Sequence, residues 1–500
     1  MLTRPRDDPS GGRLRGVPWA EIALAIAVVA VLLRFVAADP TIGVTGSDSP
    51  FTDEAWNVVN ARNLVLLGTW STDQFNLHLV NGPFSLLEAG IFSVLGVGIV
   101  QARLLSILSV GLTTFVLGVG LRRVVGRGPA LLAAAAFASS GLVLFYGRLA
   151  YTETLVMLEL TAAVILIGRA EERPYADRWG LLAGVLFGLA IATKANAAFG
   201  VTGALLALLI LEARGTAAVR RWLVASGVGL TLIAIIWVVA ALLPNPSAVA
   251  IDLGIWAHQV APRSILDLAR RILAYPFRSD GALPGLIPVA VGAAIGTAAT
   301  AIGWRAMPPT RRRIAVAAIG WVALQVAVLF VANYRPNRYL LPALPGVILL
   351  LGVGAASAVD RWNEHPVPRG RRMVLAGVAL AALIVPGIVT FSGWMSRATE
   401  RLEPMQRTVA ALLPQGSTVW GGYAPLVAMT ARVTTIVPWP PAAANDGPGY
   451  TSRPARWVVT GNHEPSWIVH DRSLWAARQE RACFEWDGKP VCLVELPARP

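Results

Sequence analysis

Charged residues are scarce in this chain. They make up 14% of its 500 residues, whereas about a quarter is usual in soluble domains. Hydrophobic residues reach 55%, and apolar runs long enough to cross a bilayer recur along the chain. These values exclude an ordinary soluble protein, a disordered chain, a collagen and a coiled coil. The sequence therefore predicts a large helical membrane bundle.

The usual signatures of metal and nucleotide sites are also missing. The five histidines form no short pair on one helical face, and the two cysteines are too few for a zinc cluster. No glycine-rich loop follows a predicted strand, which argues against a bound nucleotide. No metal site is predicted, although Asp48, Asp53 and Glu54 could together bind a divalent cation.

Basic residues outnumber acidic ones and give a net charge of +14. Lysine occurs only at Lys194 and Lys489, so almost all of them are arginines, a bias typical of a GC-rich prokaryote. In a soluble protein this charge would indicate nucleic-acid binding. Here the arginines lie between apolar runs, so they indicate membrane topology and not a nucleic-acid partner.

Apolar windows of spanning length predict about 11 transmembrane helices. They lie near residues 19–38, 104–121, 129–147, 150–168, 179–193, 195–211, 222–243, 282–303, 314–332, 339–358 and 373–391.

The arginines divide the connections between these predicted helices into two sets. Alternate connections are rich in arginine, as in 122–127 and 311–313, and cytoplasmic loops carry such an excess. This pattern predicts a cytoplasmic tail over residues 1–18, a transmembrane domain over 19–391 and an extracytoplasmic domain over 392–500. The last region is rich in Pro, Gly and Trp and contains short strand-like segments, so we expect a small α/β domain.

The loop over residues 39–103 is long enough to carry function, as is the external loop over 244–281. In the first, Thr52 can cap a helix over 53–67 that stops at Gly68, and Pro83 opens a shorter apolar helix ending near Gly96. We expect the shorter helix to lie along the membrane interface, because it has too few residues to span.

Carboxylates occur at the predicted outer ends of the spans. Asp53 and Glu54 follow the first span, Glu153 opens the fourth, and Glu159 lies deeper in the fourth. Acids near a membrane are costly and usually face a cavity or a partner. Asp53 is a candidate general base. A second interpretation stays open, in which Asp53 only complements a helix dipole and Glu159 only pairs with an arginine.

Cations are predicted at the same face. Lys194 ends the fifth span and Arg338 opens the tenth, next to Tyr339 and in one loop with Asn333 and Arg335. Such side chains could bind a phosphate, although they could instead snorkel to lipid headgroups. Acids and cations on one face suit transfer from a phosphate-linked donor, in which the acid removes a proton and the cations stabilise the leaving phosphate.

A hairpin is predicted near the carboxyl terminus, because Asp487-Gly488 is a favoured two-residue turn. Counting outward from this turn places Cys483 opposite Cys492 at a non-hydrogen-bonded pair with closely spaced Cα atoms. Pro490 also falls where no ladder bond is lost. We therefore predict a Cys483–Cys492 disulfide in an oxidising compartment.

Over roughly residues 19–350 the chain resembles the GT-C fold glycosyltransferases that use polyprenyl-phosphate sugars, including protein O-mannosyltransferases and lipid A aminoarabinose transferases. The resemblance depends on the order of short motifs: DEAW, GTW, a GPF turn, ARLLSIL, GRLAYTET, GLAIATK and RYLLPALP. It implies an all-α polytopic membrane bundle of the GT-C type with a small C-terminal α/β domain.

The resemblance also implies roles. Asp53 would be the base of an inverting displacement with Glu54 beside it, Glu153 would support acceptor or donor, and Lys194, Arg338 and Tyr339 would hold the donor phosphate. Many relatives have a basic residue or histidine directly before the proline at position 83, where this chain has Gly82. His78 and Asn81 are the candidates to replace that headgroup contact.

The leading functional prediction is a membrane glycosyltransferase that moves a sugar from a polyprenyl-phosphate donor to a lipid, protein or cell-wall glycan acceptor outside the cytoplasm. The predicted location is the prokaryotic inner membrane. A transporter or flippase of lipid-linked sugars is the alternative, but it predicts internal repeats that the sequence lacks. A structural or sensor protein with Asp53 and Glu153 in ion pairs is the third interpretation.

Overall fold

The structure is a computed structural model of the whole chain. It describes residues 17–497 except 41–52, 71–81, 173–174, 214, 245–263, 275–282, 332–336, 365–367, 438–455, 462–471 and 487–488. The histidines, Asp48, Thr52, Asn81, Asn333 and Arg335 all lie outside the described residues.

Helices dominate the chain up to Met395. They are α1 Trp19–Arg34, α2 Asp53–Leu67, α3 Gly82–Leu95, α4 Ile99–Val125, α5 Arg127–Ala138, α6 Gly141–Tyr146, α7 Thr152–Leu166, α8 Ala176–Thr193, α9 Ala197–Leu211, α10 Ala217–Trp237, α11 Ile265–Ala274, α12 Leu283–Gly303, α13 Pro309–Val331, α14 Leu344–Glu364 and α15 Arg369–Met395. A 3₁₀ turn follows α7 at Ile167–Arg169, a π turn follows α10 at Val238–Leu242, and a second 3₁₀ segment, Asn337–Ala343, precedes α14.

Each predicted span overlaps a helix, except that the third is divided between two, and two boundaries differ in a way that affects the site. Six helical segments among the described residues are long and apolar enough to cross a membrane, and others are shorter. The second span was predicted to begin at residue 104, but α4 begins at Ile99 and so includes Arg103. The tenth was predicted to begin at residue 339, but Arg338 and Tyr339 lie on the 3₁₀ segment that contains Pro342.

The third predicted span, 129–147, is broken in the structure. Helix α5 stops at Ala138, and α6 begins at Gly141. Ser139 Oγ donates to Ala135 O at 2.7 Å, the kind of local bond by which serine competes with helix geometry. Helix α15 packs against the break: a Cβ on Gly387 would lie 1.9 Å from Ser139 O. A side chain at position 387 would therefore force the two elements apart.

The ion pairs lie at two opposite ends of the bundle. One end contains the beginnings of α2, α4 and α7, the end of α8 and the 3₁₀ segment before α14, and we call it the active-site end. The other contains the beginnings of α8, α10 and α13 and the ends of α4, α9 and α14, and we call it the opposite end. Arg221–Asp177 and Arg311–Asp360 join helices at this opposite end. Helices α4, α8 and α13 therefore run between the two ends, with α8 and α13 opposite in direction to α4.

The two helices of the first long loop form where the sequence predicts them. Helix α2 spans Asp53–Leu67 and α3 spans Gly82–Leu95. Each is followed by a glycine with positive φ, 72° at Gly68 and 82° at Gly96, a conformation that favours glycine at a helix end. Helix α3 packs against α2, α4 and α8 at the active-site end.

The C-terminal region is an α/β domain, as predicted. It contains helices α16 Leu402–Leu412, α17 Ala424–Val427 and α18 Arg472–Ala476 and strands β1 Thr418–Trp420, β2 Thr434–Ile436, β3 Trp457–Val459, β4 Gln479–Trp486 and β5 Lys489–Glu495. The sheet order is β2-β1-β3-β5-β4, in which β1 is parallel to both neighbours and β5 is antiparallel to both of its neighbours.

The hairpin β4–β5 has the predicted register. Trp486 pairs with Lys489, Glu485 with Pro490 and Cys483 with Cys492. The two cysteines are joined by a disulfide with their Cα atoms 4.1 Å apart. The turn residues Asp487 and Gly488 lie outside the described residues.

One hydrophobic cluster joins this domain to the bundle. Val58 on α2 and Phe84 on α3 belong to the same buried cluster as Val427, Met429 and Trp457 of the C-terminal domain. The domain therefore packs directly on the helix that begins at Asp53, and it lies at the active-site end.

Candidate active site

Asp53 and Arg338 form an ion pair at the active-site end. Asp53 lies in the first turn of α2, and Arg338 lies on the 3₁₀ segment before α14. Their side chains are 18% and 8% exposed. The pair is thus largely shielded from water, where a charge interaction is much stronger than at an exposed surface. The predicted base and one predicted phosphate ligand are in direct contact.

Glu153 and Lys194 form a second ion pair beside the first. Lys194 Nζ lies 2.7 Å from Glu153 Oε1, and Arg338 Nε lies 3.8 Å from the same oxygen. Glu153 is fully buried in the first turn of α7, and Lys194 directly follows the last residue of α8. Thr152 Oγ1 donates to Glu153 Oε2 at 3.2 Å. Glu153 therefore contacts both of the cations among the three predicted phosphate ligands.

Two tyrosines enclose the cations. Lys194 Nζ lies 4.9 Å from the ring centre of Tyr339, and Arg338 Cζ lies 5.3 Å from the same ring. Arg338 Cζ is also 5.5 Å from the ring of Tyr151. Aromatic faces attract cations at these distances. Tyr339 therefore packs on the cations through its ring, a contact that orients them.

Glu54 has a different environment from its neighbour Asp53. Arg103 donates to both oxygens of Glu54, at 2.8 Å and 2.7 Å, and both side chains are fully buried. The backbone N–H of Ala150 donates to Glu54 Oε1 at 2.9 Å. A carboxylate so occupied holds α2, α4 and the start of α7 together. This geometry favours a positioning role for Glu54 over proton transfer.

Arg103 and Arg148 are parts of the site that the sequence analysis did not single out. Arg103 Nη1 donates to Val36 O at 2.6 Å and to Ala38 O at 3.0 Å. Arg148 is fully buried, donates to Asp39 O at 3.1 Å and lies over the ring of Phe145. Both stand inside the quoted motifs ARLLSIL and GRLAYTET. An arginine at the end of a span, near unpaired acids, is the signal that could have identified them.

Glu159 is separate from this cluster. It lies two helical turns further along α7 and accepts a hydrogen bond from Thr193 Oγ1 at 3.2 Å. Its second oxygen is buried and has no hydrogen-bond partner among the residues described. The structure thus gives Glu159 a hydroxyl partner and not the arginine that the sequence analysis considered.

Several predicted contacts fall on segments that are not described. His78 and Asn81, the candidates for the headgroup contact, lie outside the described residues, as does Asp48 of the candidate cation site. Within the described part of the chain, the one group of potential metal ligands that lie together is Glu480, Cys483 and Cys492. The two cysteines are disulfide-bonded, so this group does not suit a metal.

The central four charges are balanced, with two carboxylates, Asp53 and Glu153, against two cations, Lys194 and Arg338. Burying charges is costly unless each is paired and hydrogen-bonded, as these are. A bound phosphate would compete with the carboxylates for Lys194 and Arg338, and a carboxylate that gained a proton would release its cation. The arrangement can therefore couple proton uptake at Asp53 to stabilisation of a phosphate.

Comparison with known proteins gives a family match over part of the chain and a shared fold over most of it. Residues 84–239 match the family model described as dolichyl-phosphate-mannose-protein mannosyltransferase. No curated protein sequence matches the chain. The crystal structure of ArnT from Cupriavidus metallidurans bound to undecaprenyl phosphate has a TM-score of 0.65 at 15% identity, over 95% of this chain and 97% of that one.

A second solved structure is more distant. The oligosaccharyltransferase of Archaeoglobus fulgidus in its apo form has a TM-score of 0.53 at 13% identity, over 88% of this chain and 69% of that one. The GT-C-type fold predicted from the sequence is thereby confirmed. The family match and the fold agree with the predicted glycosyltransferase, and no comparison supports a flippase.

Proposed function

We propose that this chain is an integral membrane glycosyltransferase of the GT-C type that transfers a sugar from a polyprenyl-phosphate donor to an acceptor hydroxyl by inverting displacement. The observation that carries the proposal is the contact of Asp53 with Arg338 beside that of Glu153 with Lys194. This pairing combines a base with two phosphate ligands at the end of the bundle where the C-terminal domain packs.

In the proposed reaction one bond forms, one bond breaks and one proton is transferred. The acceptor oxygen attacks the anomeric carbon, its proton passes to Asp53, and the bond between that carbon and the phosphate oxygen breaks with its electron pair on the phosphate. The donor phosphodiester carries one negative charge and the departing polyprenyl phosphate carries two. As Asp53 loses its charge, Arg338 becomes free to neutralise the charge that develops on the phosphate.

The remaining residues would have supporting roles. Lys194 contributes the second positive charge that stabilises the phosphate. Before the donor binds, Glu153 pairs with Lys194 and Arg338 and keeps both cations in the site. Glu54 keeps Asp53 in place through Arg103. Such fixed charges in a shielded site act strongly in the transition state because they need no reorganisation when the bond breaks.

The proposal extends to the donor lipid and the membrane location, and it leaves the sugar and the acceptor open. A hexose and a pentose are both compatible with these contacts, as are lipid, protein and cell-wall glycan acceptors. ArnT has been crystallised with undecaprenyl phosphate and an archaeal relative with dolichol phosphate and an inhibitory peptide, which supports a polyprenyl donor. The arginine-rich opposite end supports an inner membrane in which the active site faces away from the cytoplasm.

The proposal can be tested without knowing the acceptor. Purified protein is incubated with a panel of polyprenyl-phosphate sugars, and release of polyprenyl phosphate is followed. We expect slow hydrolysis of at least one donor, with water in place of the acceptor. No donor loss across hexose and pentose donors, with or without a membrane extract as acceptor source, would contradict the proposal.

A further inference from the structure

The structure gives the C-terminal domain two charged contacts with the segment that contains Asp53. We propose that this domain positions the catalytic helix α2, and that Arg62 and Asp39 are positioning residues for the transfer reaction. The inference rests on the proposed function, because it assigns these residues to the placement of Asp53.

Arg62 extends from α2 into the C-terminal domain. Its guanidinium group is buried and donates to the carbonyl oxygens of four residues, at distances from 2.5 Å to 3.1 Å: Met429, Ala428, Ala431 and Val433. These carbonyls belong to the segment over residues 428–433 that follows α17. A buried guanidinium group needs hydrogen-bond acceptors, and this segment supplies them. Arg62 therefore joins α2 to the C-terminal domain.

Asp39 makes the reciprocal contact at the start of α16. Its carboxylate accepts from the backbone N–H of Arg401 at 2.7 Å and of Leu402 at 3.2 Å, and from Thr399 Oγ1 at 2.8 Å. The N–H groups at the start of a helix lack partners and favour an anion. Burial raises the pKa of Asp39, and the three donors oppose that rise.

The contacts of Asp39 and Arg62 with the C-terminal domain lie on either side of the base in the sequence. Asp39 precedes Asp53 in the chain, and Arg62 follows it on α2. Helices α16 and α17 are themselves joined by Gln406 Nε2, which donates to Leu426 O at 2.7 Å. The C-terminal domain thus contacts the chain before and after Asp53.

The Asp39 cap is also connected to Glu54, the neighbour of Asp53. Arg148 donates to the carbonyl of Asp39, and Arg103 donates to the carbonyl of Ala38 and to both Glu54 oxygens. A base must be held within about half an ångström of its working position, and a misplacement of about 1 Å can lower the rate about a hundredfold. The buried contacts of Arg103 and Arg148 are suited to holding Asp53 with this accuracy.

The test is a double-mutant cycle with Arg62→Ala and Asp53→Asn. We expect Arg62→Ala to lower kcat by about ten- to a hundredfold in the otherwise unchanged protein, since Asp53 moves. In the Asp53→Asn background the same change should lower the residual rate by less than about twofold, because no base remains to be positioned. Affinity for polyprenyl phosphate, measured by binding, should change by less than about twofold on Arg62→Ala in either background.

Two further variants separate positioning from folding. Arg62→Lys keeps the charge with fewer donors and should recover part of kcat, and the whole cycle is run with it if Arg62→Ala does not fold. Arg481→Ala removes an arginine that binds Glu495 within the C-terminal domain and should leave kcat unchanged.

Equal losses from the Arg62 change in both backgrounds, or a parallel loss of polyprenyl phosphate affinity, would overturn the positioning role. If instead Asp53→Asn alone had no effect, the assignment of the base would fail, and this result is distinct from additivity in the cycle.

Discussion

Two matched ion pairs, one at each end of the helical bundle, lie in different surroundings, although the opposite end also contains a buried pair, Arg313–Glu212. Asp53 and Asp177 each lie in the first turn of a helix, and each pairs with an arginine. Asp177 and Arg221, at the opposite end, are 54% and 56% exposed. Asp53 and Arg338 are 18% and 8% exposed, and Glu153 beside them is fully buried.

This difference in exposure decides what the charges can do. Exposed pairs are screened by water and contribute about 0–1 kcal/mol. Buried pairs are costly to form and strong once formed, so their charges are fixed before a substrate arrives. The exposed Asp177–Arg221 pair is therefore a weak surface contact, whereas the charges around Asp53 are fixed in a form suited to an anion.

The largest effect is expected from removing the charge of Asp53. Asp53→Asn keeps the shape but cannot accept a proton, so transfer should fall by about a hundred- to ten-thousandfold. Binding of polyprenyl phosphate should remain, because Lys194 and Arg338 are intact. Turnover and binding are measured on the same purified protein. Near-normal turnover in Asp53→Asn together with an inactive Glu153→Gln would move the base to Glu153.

A smaller but broader effect is expected at Lys194. Lys194→Ala removes a phosphate ligand and leaves Glu153 without its closest cation. Because phosphate contacts act on the bound donor and in the transition state, donor affinity and turnover should both fall, by roughly tenfold or more. Titration with polyprenyl phosphate and steady-state kinetics check this. Loss of turnover with unchanged affinity would remove Lys194 from the phosphate site.

The matched change at the opposite end should have little effect. Asp177→Asn alters an acid in the first turn of α8, the helix that ends just before Lys194. Since its partner Arg221 is exposed, we expect turnover within about twofold of the unchanged protein and at most about 1 kcal/mol of stability. A loss of turnover comparable to that of Asp53→Asn would show that exposure does not distinguish the two ends.

The smallest effect concerns an ion cluster outside the membrane. Hydrogen bonds from Arg456 and Arg481 lower the pKa of Glu495 in the C-terminal domain. Its carboxylate therefore stabilises the folded state at neutral pH. This contribution is lost as the pH falls from about 4.3, the ordinary pKa of glutamate in an unfolded chain, through the lower pKa that Glu495 has in the folded state. The thermal stability of Glu495→Gln should be slightly lower than normal at pH 7 and equal at low pH. A difference that grew in acid would contradict this assignment.

The sequence predicted features that depend on local patterns. Hydrophobic windows located the helices, Gly68 and Gly96 located two helix ends, and the Asp487-Gly488 turn predicted the register that pairs Cys483 with Cys492. The order of motifs predicted the fold because each motif lies at or near the end of a helix. Each of these features is determined by residues that are close together in the sequence.

Features that depend on distant partners could not be predicted in this way. The contact of Glu54 with Arg103 and that of Arg62 with the carbonyls after α17 join residues far apart in the chain. Nothing near Arg62 in the sequence distinguishes it from an arginine at a loop surface. The break at Ser139 was missed because Gly387, which packs closely against it, lies on another helix.

The most direct test of the account is to locate the donor on the bundle. A polyprenyl phosphate with a photoreactive group beside its phosphate is bound to the purified protein, irradiated, and the labelled residues are identified by peptide mass analysis, with unlabelled polyprenyl phosphate as competitor. We predict competed labelling near Tyr151, Lys194 and Tyr339, and loss of that labelling in Lys194→Ala. Competed labelling around Asp177 and Arg221 instead would contradict the assignment of the active site to the end that contains Asp53.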